Sequence, residues 1–266
     1  MTKLICLVKF VPDVDNFKYD FERNIIIREN ADLVLNPDDA KAIAFALKVK
    51  ALNPDVMVEI LSMGPRSVAP MLENLLRLKI DQATLITDPL FVGSDTYVTS
   101  HILARYLQSI DYDCILSGMH SLDGDTSHVP SQIAEYLSIQ QYPNVLDGEY
   151  DLNLNKHFNV SVERENFIET YEVSLPILLS FSRESKLKLP YVRYEDMHKV
   201  VSDKLVILNN ENLKFDRHQI GLEGSLTYVS RSFIKPQNKK DKLVVRCDDE
   251  GVMKVYHTLK QWGYLK

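Results

Sequence analysis

The sequence is short of the features that mark several classes of protein. Its three cysteines, Cys6, Cys114 and Cys247, lie far apart and form no CxxC pair. This argues against a disulfide framework and predicts buried thiols in a reducing compartment. No apolar run approaches the roughly 18 residues that a membrane-spanning helix needs. The apolar start, MTKLICLVKFVPD, is too short for a signal peptide, so we expect a cytoplasmic protein without membrane insertion.

Basic residues are in the minority, with 31 Lys and Arg against 37 Asp and Glu and a formal net charge of −6. Nothing in this balance predicts nucleic acid as a partner. Any bound nucleotide must be held by local geometry, because the overall field mildly repels anions. The sequence also lacks GxGxxG, GxxxxGK[ST], GxSxG and HExxH. We therefore predict no catalytic residue and no metal site.

What the chain does have is regular alternation of apolar strands and helices. Its 266 residues are 45% hydrophobic, enough for a substantial core. Buried strands are predicted at LICLVKFV, VMVEILSM, ATLITD and DCILSG. Intervening helices indicate a doubly wound, mostly parallel α/β sheet. Ligands bind such sheets beyond the carboxyl ends of the strands, which directs attention to the loops after Val11, before Asn36, after Met63 and after Ser117.

Several helix starts carry typical capping residues. In NPDD at residues 36–39, the asparagine is a natural N-cap, the proline suits the first helical position, and the aspartates favour the positive helix end. Ser94 or Asp95 is predicted to cap the third helix. Pro130 is predicted to begin the fourth.

The pattern changes after about residue 140. HFNVSVERE, FIETYEVSL and ILLSFSRE predict strands that form an antiparallel extension of the sheet. From Tyr191 onward apolar density falls, and only DEGVMKVYHTLKQWGYL is predicted to be helical. The chain is thus expected to divide into an α/β domain at 1–190 and a segment at 191–266 that wraps another surface, its own or a partner's.

The stretch SLDGDTSHVPSQIAEYL, from Ser121, suggests a ligand loop. It fails as an EF-hand, because the twelfth residue from Asp123 is alanine. It fits an aspartate-nucleophile loop poorly, since five residues separate Asp123 from the strand. Phosphate held by backbone N–H groups at the helix start is the third interpretation, with Gly118 and Gly124 allowing close turns. An ordinary capped turn is the alternative.

The chain resembles the small (beta) subunit of electron transfer flavoprotein. The segments that carry the resemblance occur in the family's order and spacing over most of the chain: LVKFVPD, VLNPDDAKAIAFALKVK, LSMGP, FVGSDTYVTSHILARYL, DCILSGMHSLDGDTSHVPSQIAEYL, VERE with YEVSLPILLSF, and IGLEGSLTYVSRSF. The resemblance implies a doubly wound fold of the adenine nucleotide alpha hydrolase-like type. It also implies a long C-terminal arm, 191–266, that embraces an alpha subunit.

The family implies an electron carrier rather than a stand-alone enzyme. Its members bind AMP as a structural ligand or, in the electron-bifurcating type, a second FAD that is reduced by NADH; the tail GLEGSLTYVSRSF resembles the bifurcating type and favours FAD. Acyl-CoA dehydrogenase-type enzymes are the expected electron partners. A non-redox nucleotide-binding module with AMP is the alternative function.

Carried over by position, the resemblance implies a nucleotide site at the ends of the first, second and fourth strands and at the helix that begins with NPDD. The implied contacts are Leu7, Lys9, Asn36, Pro37, Asp38, Asp39, Met63, Gly118, Met119, His120, Ser121, Leu122, Asp123, Gly124, Asp125, Thr126, Ser127, His128 and Val129.

The sequence departs from the family pattern at several of these places. Asp38 stands where the family usually has an aromatic residue, and His128 stands where glutamine is common. The stretch 190–197 resembles the recognition loop that anchors dehydrogenase partners, but Arg193 replaces its usual leucine. The identity of any dehydrogenase partner is therefore left open by the sequence.

Overall fold

The computed structural model describes residues 2–13, 18–20, 25–27, 33–151, 157–228 and 244–265. The chain divides into two units, Met1–Val229 and Ser230–Lys266.

In the first unit the described residues form a nine-stranded sheet and two short strand pairs. The strands are β1 (Thr2–Val8), β2 (Phe10–Pro12), β3 (Lys18–Asp20), β4 (Ile25–Ile27), β5 (Leu33–Leu35), β6 (Val56–Met63), β7 (Gln82–Ile86), β8 (Cys114–Gly118), β9 (Gln140–Asp151), β10 (His157–Glu163), β11 (Ile168–Ser174), β12 (Ile177–Phe181) and β13 (Leu205–Leu208).

The sheet order is β11-β10-β9-β12-β8-β1-β6-β7-β13. From β9 to β13 every neighbouring pair is parallel, and only β10 and β11 add antiparallel pairs. β2 pairs with β5 and β3 with β4, both antiparallel. The doubly wound, mostly parallel fold expected from the sequence is confirmed.

The described residues contain seven helices. They are α1 (Pro37–Leu52), α2 (Ala69–Leu76), α3 (Thr96–Leu107), α4 (His128–Leu137), α5 (Asn210–Leu213), α6 (Gly221–Gly224) and α7 (Asp249–Gln261). Short 3₁₀ turns lie at Arg66–Val68, Pro89–Phe91, Tyr194–Asp196, Ser202–Lys204 and Arg217–Gln219.

The central strand β1 shows why the sheet is buried on both faces. Leu4 and Cys6 pack with residues of α1 and α2 in one apolar cluster. Ile5 and Leu7, which alternate with them, pack with residues of α3 and α4 in another. A strand covered on both sides reads as a continuous apolar run, and LICLV does so.

Some expectations need correction. β12 was expected in an antiparallel extension, but it lies parallel between β8 and β9. The α4 helix begins at His128, two residues before Pro130. The sheet also extends past residue 190, because β13 pairs with β7 at its edge. The expectation that the following arm wraps a partner subunit stays a prediction.

In the second unit the described residues form one helix, α7, which Asp248 caps by accepting a hydrogen bond from Gly251 N. This confirms the helix predicted in DEGVMKVYHTLKQWGYL, except that the helix ends at Gln261, before the last four residues of that stretch. Among the residues that the structure describes, no helix has the length and apolarity needed to cross a membrane.

Candidate functional site

The site lies at the carboxyl edge of the sheet, where the chain reverses its direction of winding. From β1 the chain proceeds to β6 and β7 on one side, and β8 then returns to the other side of β1. Such a switch point leaves a crevice beyond the strand ends. A cavity of about 390 Å³ occupies this place, lined by the ends of β1, β6 and β8, the start of α1, the loop at 118–129, and residues 91–103.

Asn36 joins the start of α1 to the loop at 118–129. Its Nδ2 donates to His120 O at 2.7 Å, and its Oδ1 accepts from Leu122 N at 3.2 Å. The side chain makes no capping hydrogen bond to α1. Asn36 does occupy the predicted N-cap position, but the predicted side-chain bond to the first turn of α1 is absent. The side-chain amide instead satisfies backbone groups of a distant loop that would otherwise lack hydrogen-bond partners.

Asp39 ties the two central strand ends together. Its carboxylate accepts from Lys9 N at 2.7 Å and from Gly118 N at 3.0 Å. Burial raises the pKa of Asp39 to about 7, against the lowering effect of hydrogen bonds from Asn36, Lys9 and Gly118. Asp39 is predicted to favour the positive end of the α1 dipole, and it also holds the ends of β1 and β8 together.

Gly118 has a steric reason to be glycine. A Cβ added there would lie 2.4 Å from Asp39 Oδ1 and 2.7 Å from Asp38 Cβ. Gly124 has no such reason, because its added Cβ would meet only Ser121 Oγ at 3.5 Å. The close approach expected at both glycines is present only at Gly118.

Asp38 is 1% exposed, and its two carboxylate oxygens differ in their hydrogen bonding. Oδ2 accepts from His120 N at 3.3 Å and lies 3.7 Å from His120 Nδ1. Oδ1 faces Arg183 Nε at 3.5 Å, yet among the described residues it has no hydrogen-bond partner. Arg183 follows β12, so the insertion of β12 beside β8 brings a cation to this buried carboxylate.

The loop carboxylate Asp123 is turned to a lysine rather than to the cavity. Its two oxygens accept from Lys9 Nζ at 2.8 and 2.7 Å. Burial acts to raise the pKa of Asp123, but the hydrogen bonds and charge of Lys9 outweigh it and hold that pKa below its usual value. Lys9 thus neutralises one of the two aspartate charges of this loop, which weakens the repulsion that the loop would exert on a bound anion.

The start of α4 offers unpaired backbone donors to the cavity. Ser127 precedes the helix in a left-handed conformation, and its side chain makes no capping hydrogen bond. Of the described helices with ten or more residues, α3 and α7 have side-chain caps, whereas α1 and α4 do not. The two uncapped starts both line the cavity. Such helix starts favour anions through their N–H groups and dipoles.

Comparison with known protein families decides the family. The model of the electron transfer flavoprotein domain matches residues 24–187, more than half of the chain. The chain belongs to the electron transfer flavoprotein family.

Three relatives show how far the similarity extends. The electron transfer flavoprotein subunit beta of Clostridium acetobutylicum is 32% identical over 266 residues, covering 100% of both chains. The caffeyl-CoA reductase-Etf complex subunit CarD of Acetobacterium woodii is 35% identical, over 89% of this chain and 88% of the relative. The acryloyl-CoA reductase electron transfer subunit gamma of Anaerotignum propionicum is 30% identical, over 97% of this chain and 98% of the relative.

Most residues inferred from the electron transfer flavoprotein pattern lie around the one cavity. Fourteen of the nineteen line it: Leu7, Lys9, Asn36, Asp39, Met63, Gly118, Met119, His120, Ser121, Gly124, Thr126, Ser127, His128 and Val129. The other five do not line it: Pro37, Asp38, Leu122, Asp123 and Asp125. Of these five, all but Pro37 hydrogen-bond with residues that do: Asp38, Leu122, Asp123 and Asp125.

One wall of the cavity was missed by the sequence reasoning. The residues not predicted are Val8, Leu61, Phe91, Gly93, Ser94, Asp95, Thr96, Thr99, Leu103, Ser117 and Pro130. Seven of these belong to the connection after β7 and to α3. The signal was present, because the rule that places ligands at carboxyl strand ends applies to β7 as it does to β1, β6 and β8.

The described residues contain no group of three His, Cys, Asp or Glu side chains close enough to hold a metal ion. Two of the cysteines, Cys6 and Cys114, are buried as expected, but Cys247 is exposed. The expectation of three buried thiols is wrong at Cys247, which lies just before α7.

Proposed function

We propose that this chain is the nucleotide-binding beta subunit of an electron transfer flavoprotein and that the cavity at the switch point holds FAD, with AMP as the alternative ligand. The observation that carries the proposal is the cavity itself. The cavity is lined on one side by the uncapped start of α4 and by neutral hydroxyl donors, and on another side by apolar side chains.

The donors fit a phosphate group. The loop at 118–129 supplies the hydroxyls of Ser121, Thr126 and Ser127, and α4 supplies backbone N–H groups at its first turn. Neutral donors and a helix dipole can bind an anion without a dedicated cation. We assign the phosphates to this side of the cavity, with the nineteen residues inferred from the family pattern as the first candidates for contact or support.

The apolar floor fits an aromatic ring system. Leu7, Leu61, Met63, Phe91 and Leu103 line the cavity between the phosphate side and α3. A few placed polar groups on an apolar surface are typical of cofactor sites. The extension toward residues 91–103 supports a dinucleotide over AMP, since it adds a second wall beyond the loop at 118–129.

The loop at 118–129 and the start of α4 would hold FAD there, and the bound flavin would supply electron-transfer chemistry between a two-electron donor such as NADH and one-electron acceptors. This chain would supply position, shielding from water and electrostatic surroundings. It would act as an electron-carrier subunit, by flavin-based bifurcation in the bifurcating variant, and needs no catalytic acid or base of its own.

The proposed partners are an alpha subunit in a cytoplasmic heterodimer and an acyl-CoA dehydrogenase-type enzyme. Two relatives support the second partner, because their names place them with caffeyl-CoA and acryloyl-CoA reductases. The stretch at 190–197 supports a docking role, since Tyr191 is 96% and Tyr194 84% exposed. Large exposed apolar side chains of this kind mark contact surfaces.

Nucleotide content distinguishes the candidates. The chain would be co-produced with its alpha subunit, the heterodimer denatured, and the supernatant separated by chromatography to count FAD and AMP. Two FAD per heterodimer are expected, one in each subunit. One FAD with one AMP would favour the non-redox module instead. One FAD with no other adenine nucleotide would overturn the assignment of the cavity.

A further inference from the structure

A short segment far along the chain supports the cavity wall from behind. We call residues 221–228 the arm root, because they are the last described residues before the second unit. We call residues 91–99 the wall segment. No arm-root residue lines the cavity, whereas Phe91, Gly93, Ser94, Asp95, Thr96 and Thr99 of the wall segment do.

Asp95 is the centre of the contact between the two segments. Its Oδ1 accepts from Val98 N at 3.0 Å and so caps α3. Its Oδ2 accepts from Thr227 N at 2.9 Å and from Thr227 Oγ1 at 3.0 Å. Its own N–H donates to Ser225 Oγ at 2.9 Å. One side chain therefore fixes both the start of α3 and the arm root.

Ser225 also links the arm root to the wall segment. Its Oγ lies 2.7 Å from Gly221 O and 3.2 Å from Gly93 O, both of which can accept its proton. The backbones also approach closely, because a Cβ added at Gly221 would lie 2.4 Å from Leu90 O. Gly221 has a φ of +60°, a left-handed conformation that favours glycine. In the sequence GLEGS, the glycine at position 221 therefore allows the backbone of the arm root to pack directly against the wall segment.

The charge state of Asp95 agrees with this arrangement. Burial acts to raise its pKa, but hydrogen bonds from Val98, from the side chain and backbone of Thr227 and from Leu226 outweigh burial and lower it. The ionised carboxylate is the better acceptor, and hydrogen bonds to charged groups are stronger than neutral ones.

We propose that Ser225 and Thr227 are positioning residues for the ligand cavity: through Asp95 they hold the wall segment, with Ser94, Thr96 and Thr99, in its binding position. This proposal rests on the proposed function, since it concerns how tightly the cavity holds FAD or AMP. Because coupling between two sites is reciprocal, a ligand in the cavity must in turn stabilise the arm root.

The test uses the full-length heterodimer, depleted of its beta-site nucleotide, with FAD and AMP as separate probes. Thr227→Val removes the hydroxyl donor and keeps the backbone donor, and Thr227→Ser restores the hydroxyl. Loss of one hydrogen bond to a charged acceptor is expected to weaken binding about tenfold. Thr227→Ser should bind as the unaltered protein does. Thr170→Val is the matched control, because Thr170 is exposed on β11 and does not line the cavity.

A second measurement does not depend on any variant. Hydrogen exchange of peptides covering 221–228 should slow in the unaltered heterodimer when FAD or AMP binds, although no residue of those peptides lines the cavity. The positioning role would be overturned if Thr227→Val bound the probes within twofold of the unaltered protein. It would also be overturned if hydrogen exchange at 221–228 did not change when the ligand bound. A heterodimer whose beta subunit binds neither probe would instead overturn the proposed function.

Discussion

The two glycines of the loop between β8 and α4 allow a matched test of how the site is held. We compare Gly118→Ala with Gly124→Ala, which add the same methyl group six positions apart. At Gly118 the added carbon would lie 2.4 Å from Asp39 Oδ1 and 2.7 Å from Asp39 N. At Gly124 the nearest atom is 3.5 Å away. The same chemical change should therefore destabilise the protein strongly at Gly118 and hardly at all at Gly124.

The cost at Gly118 follows from the atoms that must move. Asp39 must retreat by about 1 Å for its Oδ1 to reach ordinary contact at 3.4 Å. Overpacking of a closely packed position costs about 1–3 kcal/mol. At about pH 8 Asp39, with its pKa of about 7, is mostly ionised, and disturbing the hydrogen bond from Gly118 N to this charged acceptor costs about 1.5–3 kcal/mol more. We expect Gly118→Ala to lose about 3–5 kcal/mol and Gly124→Ala to change stability by no more than about 0.5 kcal/mol.

Thermal unfolding followed by circular dichroism measures this difference. For a unit of this size, about 2–4 °C of melting temperature corresponds to 1 kcal/mol. Gly118→Ala should therefore melt about 6–20 °C lower than the unaltered chain, whereas Gly124→Ala should match it. Equal melting temperatures for Gly118→Ala and the unaltered chain would refute the clamp between Asp39 and the end of β8. A large loss at Gly124 would refute the open space found there.

Two further predictions concern buried carboxylates. Because burial raises the pKa of Asp39 to about 7, the folded chain holds a proton there that the unfolded chain releases above about pH 4. The free energy of unfolding should thus fall from pH 4 to 7 through this group, and melts at several pH values should show a flatter profile for Asp39→Asn; an unchanged profile would contradict it. Glu59, 2% exposed, accepts from Thr84 Oγ1 at 2.9 Å and Tyr106 OH at 2.8 Å and lies 2.7 Å from Lys3 Nζ. Removing one partner of a buried charged network costs about 3–5 kcal/mol, so Glu59→Ala should lower the urea midpoint strongly, and a loss below about 1 kcal/mol would argue against the network.

The central part of the fold could be predicted because its signals are local. The run LICLV has the composition of a strand buried on both faces, and β1 is such a strand. Pro37 marks the start of α1, as its position in NPDD predicts. The four βα units follow from this alternation, and with them the edge of the sheet at which we propose that the ligand binds.

The remaining features depend on contacts between distant parts of the chain. Asn36 has the composition of a cap, but its side chain bonds to His120 and Leu122, which no local pattern reveals. β13 is the short apolar run LVIL within a polar stretch, and its pairing with β7 at the edge of the sheet cannot be seen from that run alone. In the cavity wall after β7, Asp95 hydrogen-bonds to Ser225 and Thr227, which lie 130 or more positions later in the chain.

The position of β12 has a consequence for how the chain is made. β12 lies between β8 and β9, although both precede it in the chain. While a ribosome has released β9 but not yet residues 177–181, β8 and β9 each present an unpaired edge of the kind that recruits foreign strands. If translation stalled in this interval, the partly folded chain would be prone to aggregation. Fast synthesis from residue 140 to 181, or a chaperone that covers these edges, would therefore protect the yield of the protein.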